Sequence, residues 1–202
     1  MNLDVRARLS GCLFGFAAVQ YLVAEAATAF GFDGYRYVRD TVSELGVPAS
    51  SPGHLVMNGA FCVSAVTVLV AGKLTARLLS RRRAKVYLGA VVAYSVGSVL
   101  VASVHAGDGS AHVLGAILAI GAGNVIAVTV GTGVPTCPRW YSASSVALGA
   151  AGFAASILLV AGIGPVGAVE RASIYTFTAW ELVTAAALFR SAVSRNHAEL
   201  RS

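Results

Sequence analysis

The sequence predicts an all-α, polytopic integral membrane protein, a bundle of six transmembrane helices forming one domain over residues 1–202. Three observations predict it. Of the 202 residues, 56% are hydrophobic and only 12% are charged, too apolar for an ordinary soluble domain. A bilayer core about 30 Å thick needs roughly 20 apolar residues per helix. The chain supplies six such runs with little left over. The basic residues, which give a net charge of +6, sit at the ends of those runs, where they act as topology signals. That placement argues against nucleic acid as a partner and makes the lipid bilayer the partner expected.

Helix 1 is expected at 9–30, after Arg6 and Arg8. Gly11 and Gly15 give it a G-x-x-x-G packing face. A cleaved secretory signal ending near Ala24-Glu25-Ala26 is the competing reading, but the apolar run is longer than most signal cores. A polar loop follows, the longest outside the basic loops. It runs from Arg36 through Asp40-Thr41-Val42-Ser43-Glu44-Leu45-Gly46 to Pro52-Gly53-His54. Any chemistry is expected near it. Helix 2 is expected at 55–76, and the densest basic cluster, Lys73 to Lys85, closes it. Helix 3 follows at 86–104. A tight turn, His105-Ala106-Gly107-Asp108-Gly109-Ser110, leads to helix 4 at 111–132. Gly115, Ala119, Gly123, Ala127 and Gly131 recur every four residues, and this small stripe makes helix 4 the expected centre of the bundle. Gly89, Ala93 and Gly97 suggest the same close packing for helix 3. A loop with Pro135 and Pro138 precedes helix 5 at 142–163; Gly164-Pro165 breaks the chain before helix 6 at 172–189.

Twelve basic residues then fall on the side of the N-terminus and three, Arg36, Arg39 and Arg171, on the other. The positive-inside rule puts both termini in the cytoplasm, consistent with a multi-pass protein of the cell membrane. Cys12 and Cys62 lie in apolar runs and Cys137 in an inner loop, so no disulfide framework is implied.

Orientation gathers the reactive groups on one side. His54, His105 and His112 map to the outer ends of helices 2, 3 and 4, with Asp40, Glu44, Asp108, Glu170 and Arg171 around them. Three imidazoles with an open fourth position would suit a catalytic zinc, with a carboxylate such as Asp108 or Glu44 as base. Against this, there is no H-E-x-x-H, and the His105–His112 gap is no recognised metal spacing. The bland reading is hydrogen-bonded polar helix ends. Three polar groups lie within the apolar runs: Glu25, Asn124 and Glu181. Glu25 is expected to pair with Arg36, Arg39 or Arg171. Glu181 lies mid-helix, where an ionisable group normally faces the bundle interior or a wet cavity. It is either a proton-relay carboxylate or a protonated one bonded to a neighbour such as Asn124. Neither a G-x-S-x-G elbow nor a G-x-x-x-x-G-K phosphate loop is present.

With these residues placed, the chain resembles a six-helix bacterial and archaeal membrane family known as domain of unknown function 998. Three pieces carry the likeness: Asp40-Thr41-Val42-Ser43-Glu44-Leu45-Gly46, His112-Val113-Leu114-Gly115-Ala116, and Gly167-Ala168-Val169-Glu170-Arg171 with Tyr175 and Trp180. The family's proline near the outer end of helix 3 is replaced here by Val101-Ala102-Ser103-Val104. The resemblance implies a six-helix fold and an outer cluster of polar motifs. It implies no activity.

Two functions compete. One is a non-enzymatic membrane protein that handles a lipid or small molecule in transport or assembly, with Glu25 and Glu181 lining a path. The other is an intramembrane, metal-dependent hydrolase acting on a lipid-linked substrate at the outer leaflet, built on Asp40, Glu44, His54, His105, Asp108, His112, Glu170 and Arg171. The sequence shows no inverted repeat and no obviously broken helix pair.

Overall fold

A computed structural model describes residues 3–134 and 137–199, with side chains from 5 to 191. Pro135 and Arg201, and the side chains of Asp4, Arg195, His197 and Glu199, lie outside that description. The architecture is all-helical: α1 (Leu3–Phe30), α2 (His54–Thr75), α3 (Arg81–Ser103), α4 (Ser110–Gly133), α5 (Arg139–Val160) and α6 (Val166–Glu199). A 3₁₀ turn, Ser43–Gly46, interrupts the long loop. All six helices are long and apolar enough to cross a membrane.

The helices form a closed ring. Each packs on its neighbours in sequence, α1 closes the circle against α6, and α4 also touches α6. Short loops enforce this antiparallel order. Large apolar side chains such as Phe16, Val23, Val66, Ile117 and Ile157 point outward and are more than half exposed. An apolar belt of that extent suits lipid and not water.

Small residues set the helix spacing. A Cβ on Gly11 would lie 3.4 Å from the Ala185 carbonyl, so the α1 G-x-x-x-G face packs on α6. On α3, a Cβ at Gly97 would lie 2.5 Å from the Ala119 nitrogen, whereas Gly89 faces open space. Gly97 is therefore a true contact point and Gly89 is not. The α4 stripe behaves differently from expectation. Successive positions four apart drift by about 40° around a helix. Gly115 accordingly meets α3 at Leu100 and Val101, Gly123 meets Phe177 of α6, and Gly131 meets Ser142 and Ser145 of α5. Helix 4 is thus a member of the ring, shared among three neighbours, and not its axis.

Four helices start several residues before their expected runs, α1 among them, at Leu3. α3 begins at Arg81 because the basic cluster supplies its first turn, and α5 begins at Arg139, directly after Pro138. α6 begins at Val166. Pro165 stands immediately before it and stops the chain from being helical further back. The early start places Glu170 and Arg171 inside the helix, five and six residues beyond Pro165.

Two apolar cores stack along the ring. One holds Phe14, Val68, Tyr87, Ile126 and Trp180. The other, nearer the long loop, holds Tyr21, Met57, Phe61 and Val101, with Val42 and Leu45 of the loop plugged into it.

Candidate functional site

The long loop is folded by its own side chains. Thr41 and Glu44 make reciprocal bonds: the Glu44 carboxylate accepts from the Thr41 N–H at 2.7 Å, and Thr41 Oγ1 accepts from the Glu44 N–H at 3.2 Å. This is a capping box, which satisfies the first free donors of a helical turn. Asp40 accepts from the Arg36 N–H and closes the preceding turn. At the far end Asn58 Nδ2 donates to the Gly46 carbonyl at 2.9 Å and ties the turn to α2.

The start of α6 clasps this loop. The Ala168 N–H, one of the helix's free first-turn donors, bonds to the Val38 carbonyl at 3.1 Å. A Cβ on Gly167 would lie 2.8 Å from the Tyr37 carbonyl, so a side chain there would lift the loop. Glu170, buried, accepts from the Val42 N–H and from Ser43 Oγ at 2.8 Å. Arg171 is the hub. Its Nε donates to Glu25 Oε1 at 2.8 Å, and its Nη1 donates to the carbonyls of Tyr37 (2.6 Å), Asp40 (2.8 Å) and Gly167 (3.1 Å). Its Nη2 donates to the Tyr35 hydroxyl, which donates in turn to the Thr41 carbonyl at 2.8 Å. The guanidinium also lies 4.4 Å from the Tyr37 ring centre. Tyr175, one turn along α6, donates to both Glu25 oxygens at 2.9 Å. Burial pushes the Tyr35 phenol above its ordinary pKa, even though the Arg171 bond and charge pull it down. Burial raises Tyr37 as well.

Of the three arginines expected as partners for Glu25, the fold selects Arg171. Arg36 and Arg39 stay exposed. Position decides it, because Arg171 lies within α6, which packs directly on α1. The aromatic partners Tyr35, Tyr37 and Tyr175 were not legible as such. Arg171 and Tyr175 are four residues apart, but with helix 6 expected to start at 172 the sequence predicts no shared helix face for them.

The histidines do not converge. His54 Nδ1 lies 2.9 Å from the Ser51 carbonyl at the start of α2. His105 pairs with Asp108 at 3.4 Å across the α3–α4 turn, where Gly107 and Gly109 take positive φ of 95° and 125°. His112, buried, donates from Nδ1 to the Val104 carbonyl at 2.7 Å, satisfying the end of α3. Among the described residues, no three His, Cys, Asp or Glu side chains are placed to hold a metal ion. The zinc set His54, His105 and His112 is thus not assembled. Each imidazole serves its own helix end, and this is the bland reading. Of the candidate catalytic residues, Asp40, Glu44, Glu170 and Arg171 meet in the clasp, where the carboxylates hold loop N–H groups and Arg171 holds carbonyls and Glu25, while Asp108 lies apart and holds His105.

Beneath the clasp lies a partly open cavity of about 70 Å³ within the ring. Val42 and Ser43 roof it, and Tyr21, Phe61, Ser64, Tyr94 and Ser98 form one wall. The other wall is a single stripe of α6: Glu170, Ser173, Ile174, Phe177, Thr178 and Glu181. These positions repeat every three or four residues, so they share one helix face. Glu170 and Glu181 are eleven residues apart, about 16 Å at the helical rise. Glu181 is buried, and its Oε1 has no hydrogen-bond partner. Asn124, expected as that partner, faces Gly152 of α5 instead, and both of its side-chain polar atoms are unpartnered.

Replacing Glu170 with alanine should cost about 1.5–3 kcal/mol, since hydrogen bonds to a charged group are lost and a buried N–H is orphaned. Amide exchange at Val42 should rise, while exchange in α5 stays unchanged. Unaltered protection at Val42 would mean that Glu170 does not hold the loop.

No curated protein and no solved structure shows significant similarity to the chain. A family profile described as "Protein of unknown function (DUF998)" matches residues 16–187. That match takes in all three motif pieces, which the structure resolves into the loop's capping box, the α3–α4 joint at His112 and Gly115, and the α6 clasp. With six helices long enough to cross a membrane and a match over most of its length, the chain belongs to the DUF998 family of membrane proteins.

Proposed function

We propose that this chain is a plasma-membrane protein with both termini cytoplasmic, and that it handles a small amphipathic molecule inside the bundle, in a transport role. The orientation is supported by the basic residues from Arg6 to Arg190 that lie at the end of the ring opposite the clasp. The clasp then faces the outside. The observation that carries the function is the unpartnered Glu181 oxygen in the chamber wall. A carboxyl group at that depth is costly unless something satisfies it. Glu170, the other carboxyl in the wall, is already bonded to Val42 and Ser43 of the loop, and the rest of the chamber is apolar and hydroxyl-lined, so the fitting ligand has an apolar body and one cationic or hydrogen-bond-donating group. We favour this over a hydrolase because the candidate catalytic carboxylates are already committed to the loop backbone or to His105.

A membrane-soluble carbodiimide should modify Glu181 in the full-length protein in lipid, and N,N-dimethyldodecylamine, which cannot be coupled as an amide, should protect it. Glu181→Gln should remove the modification and weaken binding of that amine at least about tenfold, the loss of one charge-assisted bond. Failure of the amine to protect a carboxyl that the carbodiimide does reach would end this reading.

A further inference from the structure

The densest run of positive charge has no counter-charge in the fold. Lys73, Arg77, Arg81, Arg82, Arg83 and Lys85 cluster around the α2–α3 turn, and no acidic residue occurs between Glu44 and Asp108. The ion pairs among the described residues lie elsewhere, at His105–Asp108 and Glu25–Arg171. Arg83 is taken by the Thr132 carbonyl at the end of α4. Lys73, Arg77, Arg81 and Lys85 are exposed, and among the described residues their side chains carry no hydrogen bond or ion pair. They stand as two pairs, each four residues apart, a spacing that sets like charges against each other on one face. Cations in the first turn of α3 also oppose the helix dipole, and no acid offsets them there. The same faces continue into lipid. On α2, Val66 and Val70 precede Lys73 and Arg77 at steps of three or four residues; on α3, Gly89, Val92 and Val96 follow Lys85 in the same way. All four valines are exposed, and nothing lies within 4 Å of a Cβ added at Gly89. The α2 span ends at Leu78 and the α3 span starts at Arg81, so the cations lie at the level of the bilayer interface.

We propose that the outward faces of α2 and α3 at this turn form a seat for an anionic phospholipid, with its phosphate head on Lys73, Arg77, Arg81 and Lys85 and its acyl chains along the valines. The head carries the selectivity. Lipid tails are as apolar as valine, so every phospholipid gains about equally from the stripes. An anionic head gains from each basic side chain held at the interface. The long lysine and arginine stems lie along apolar surface and still place their charge in the headgroup layer. Depth sets this patch apart from a nucleic-acid surface, because the cations close two membrane spans where lipid heads already sit. The seat is independent of the Glu181 chamber and of the leaflet that the turn faces.

Gly89 offers the reporter position, because it lies one turn beyond Lys85 on the stripe and has room for a side chain. The full-length protein carrying Gly89→Trp and Trp140→Phe is placed in phosphatidylcholine nanodiscs that contain phosphatidylglycerol or phosphatidylcholine brominated on the acyl chains. The signal of Trp180, which is buried, is subtracted with the Trp140→Phe parent. Half-quenching of the new indole should need a mole fraction of phosphatidylglycerol at least about fivefold lower than of phosphatidylcholine, the effect of one cation at the interface. Arg81→Gln/Lys85→Gln should remove that preference. Arg83→Gln should keep it, since that side chain serves Thr132. Val99→Trp, exposed near the other end of α3, should show no preference. Equal quenching by the two lipids at Gly89→Trp would overturn the proposal, as would an equal preference at Val99→Trp or a loss in Arg83→Gln as deep as in the double variant. Abolition of the preference by excess inorganic phosphate at constant ionic strength would also overturn it, by assigning the cations to a soluble anion.

Discussion

Arg171→Ala should destabilise this protein by about 3–5 kcal/mol, the cost of removing one partner from a buried ion pair. Glu25 is only 1% exposed, and its carboxylate would keep the Tyr175 hydroxyl but lose its counter-charge. Two loop carbonyls, of Tyr37 and Asp40, would lose their donor in the same step. Arg171→Lys should rescue little. An ammonium is a compact point charge, whereas this site uses Nε, Nη1 and Nη2 in three directions. A Glu25→Leu/Arg171→Leu double variant should be less damaged than Arg171→Ala, because it leaves no unpaired charge. Unfolding by titration with sodium dodecyl sulfate provides the measurement. Parental stability in Arg171→Ala would show that the clasp contributes nothing to the fold.

The second large effect is expected at Gly97. Its Cα sits where α3 and α4 touch backbone to backbone: a Cβ would lie 2.5 Å from the Ala119 nitrogen and 2.6 Å from the Gly115 carbonyl. Backbone cannot swing aside as a side chain can, so Gly97→Val must separate the helices. Overpacking of this kind costs about 1–3 kcal/mol or more. Ser98, Ala116 and Ala119 beside the contact line the chamber, so carbodiimide labelling of Glu181 should change along with stability. Gly89→Val on the same helix is the control, since nothing lies within 4 Å of the added Cβ. It should stay within about 0.5 kcal/mol of the parent. Equal damage at both positions would point to a general intolerance of α3 to branched residues and away from the contact.

The family motifs are mostly joints. Thr41 and Glu44 cap a turn, Gly167 lets the loop sit on α6, and His112 closes α3. Asn124 and Glu181, whose buried polar atoms lack partners, lie elsewhere, in helix interiors.

The sequence by itself determined the number of spans, their order and the end of the bundle at which each polar motif lies. Those properties follow from run length, loop shortness and the placement of charge, which are local. It also marked Glu25 and Glu181 as exceptional, because an ionisable residue in an apolar run is visible without coordinates. Tertiary structure alone decided which arginine meets Glu25, that the histidines stay apart, and that Glu181 opens onto a chamber while Asn124 turns toward α5. Helix rotation decides each of these. The rotation is set by where Gly97, Gly115, Gly123 and Gly131 allow backbones to approach, a relation between segments distant in the chain.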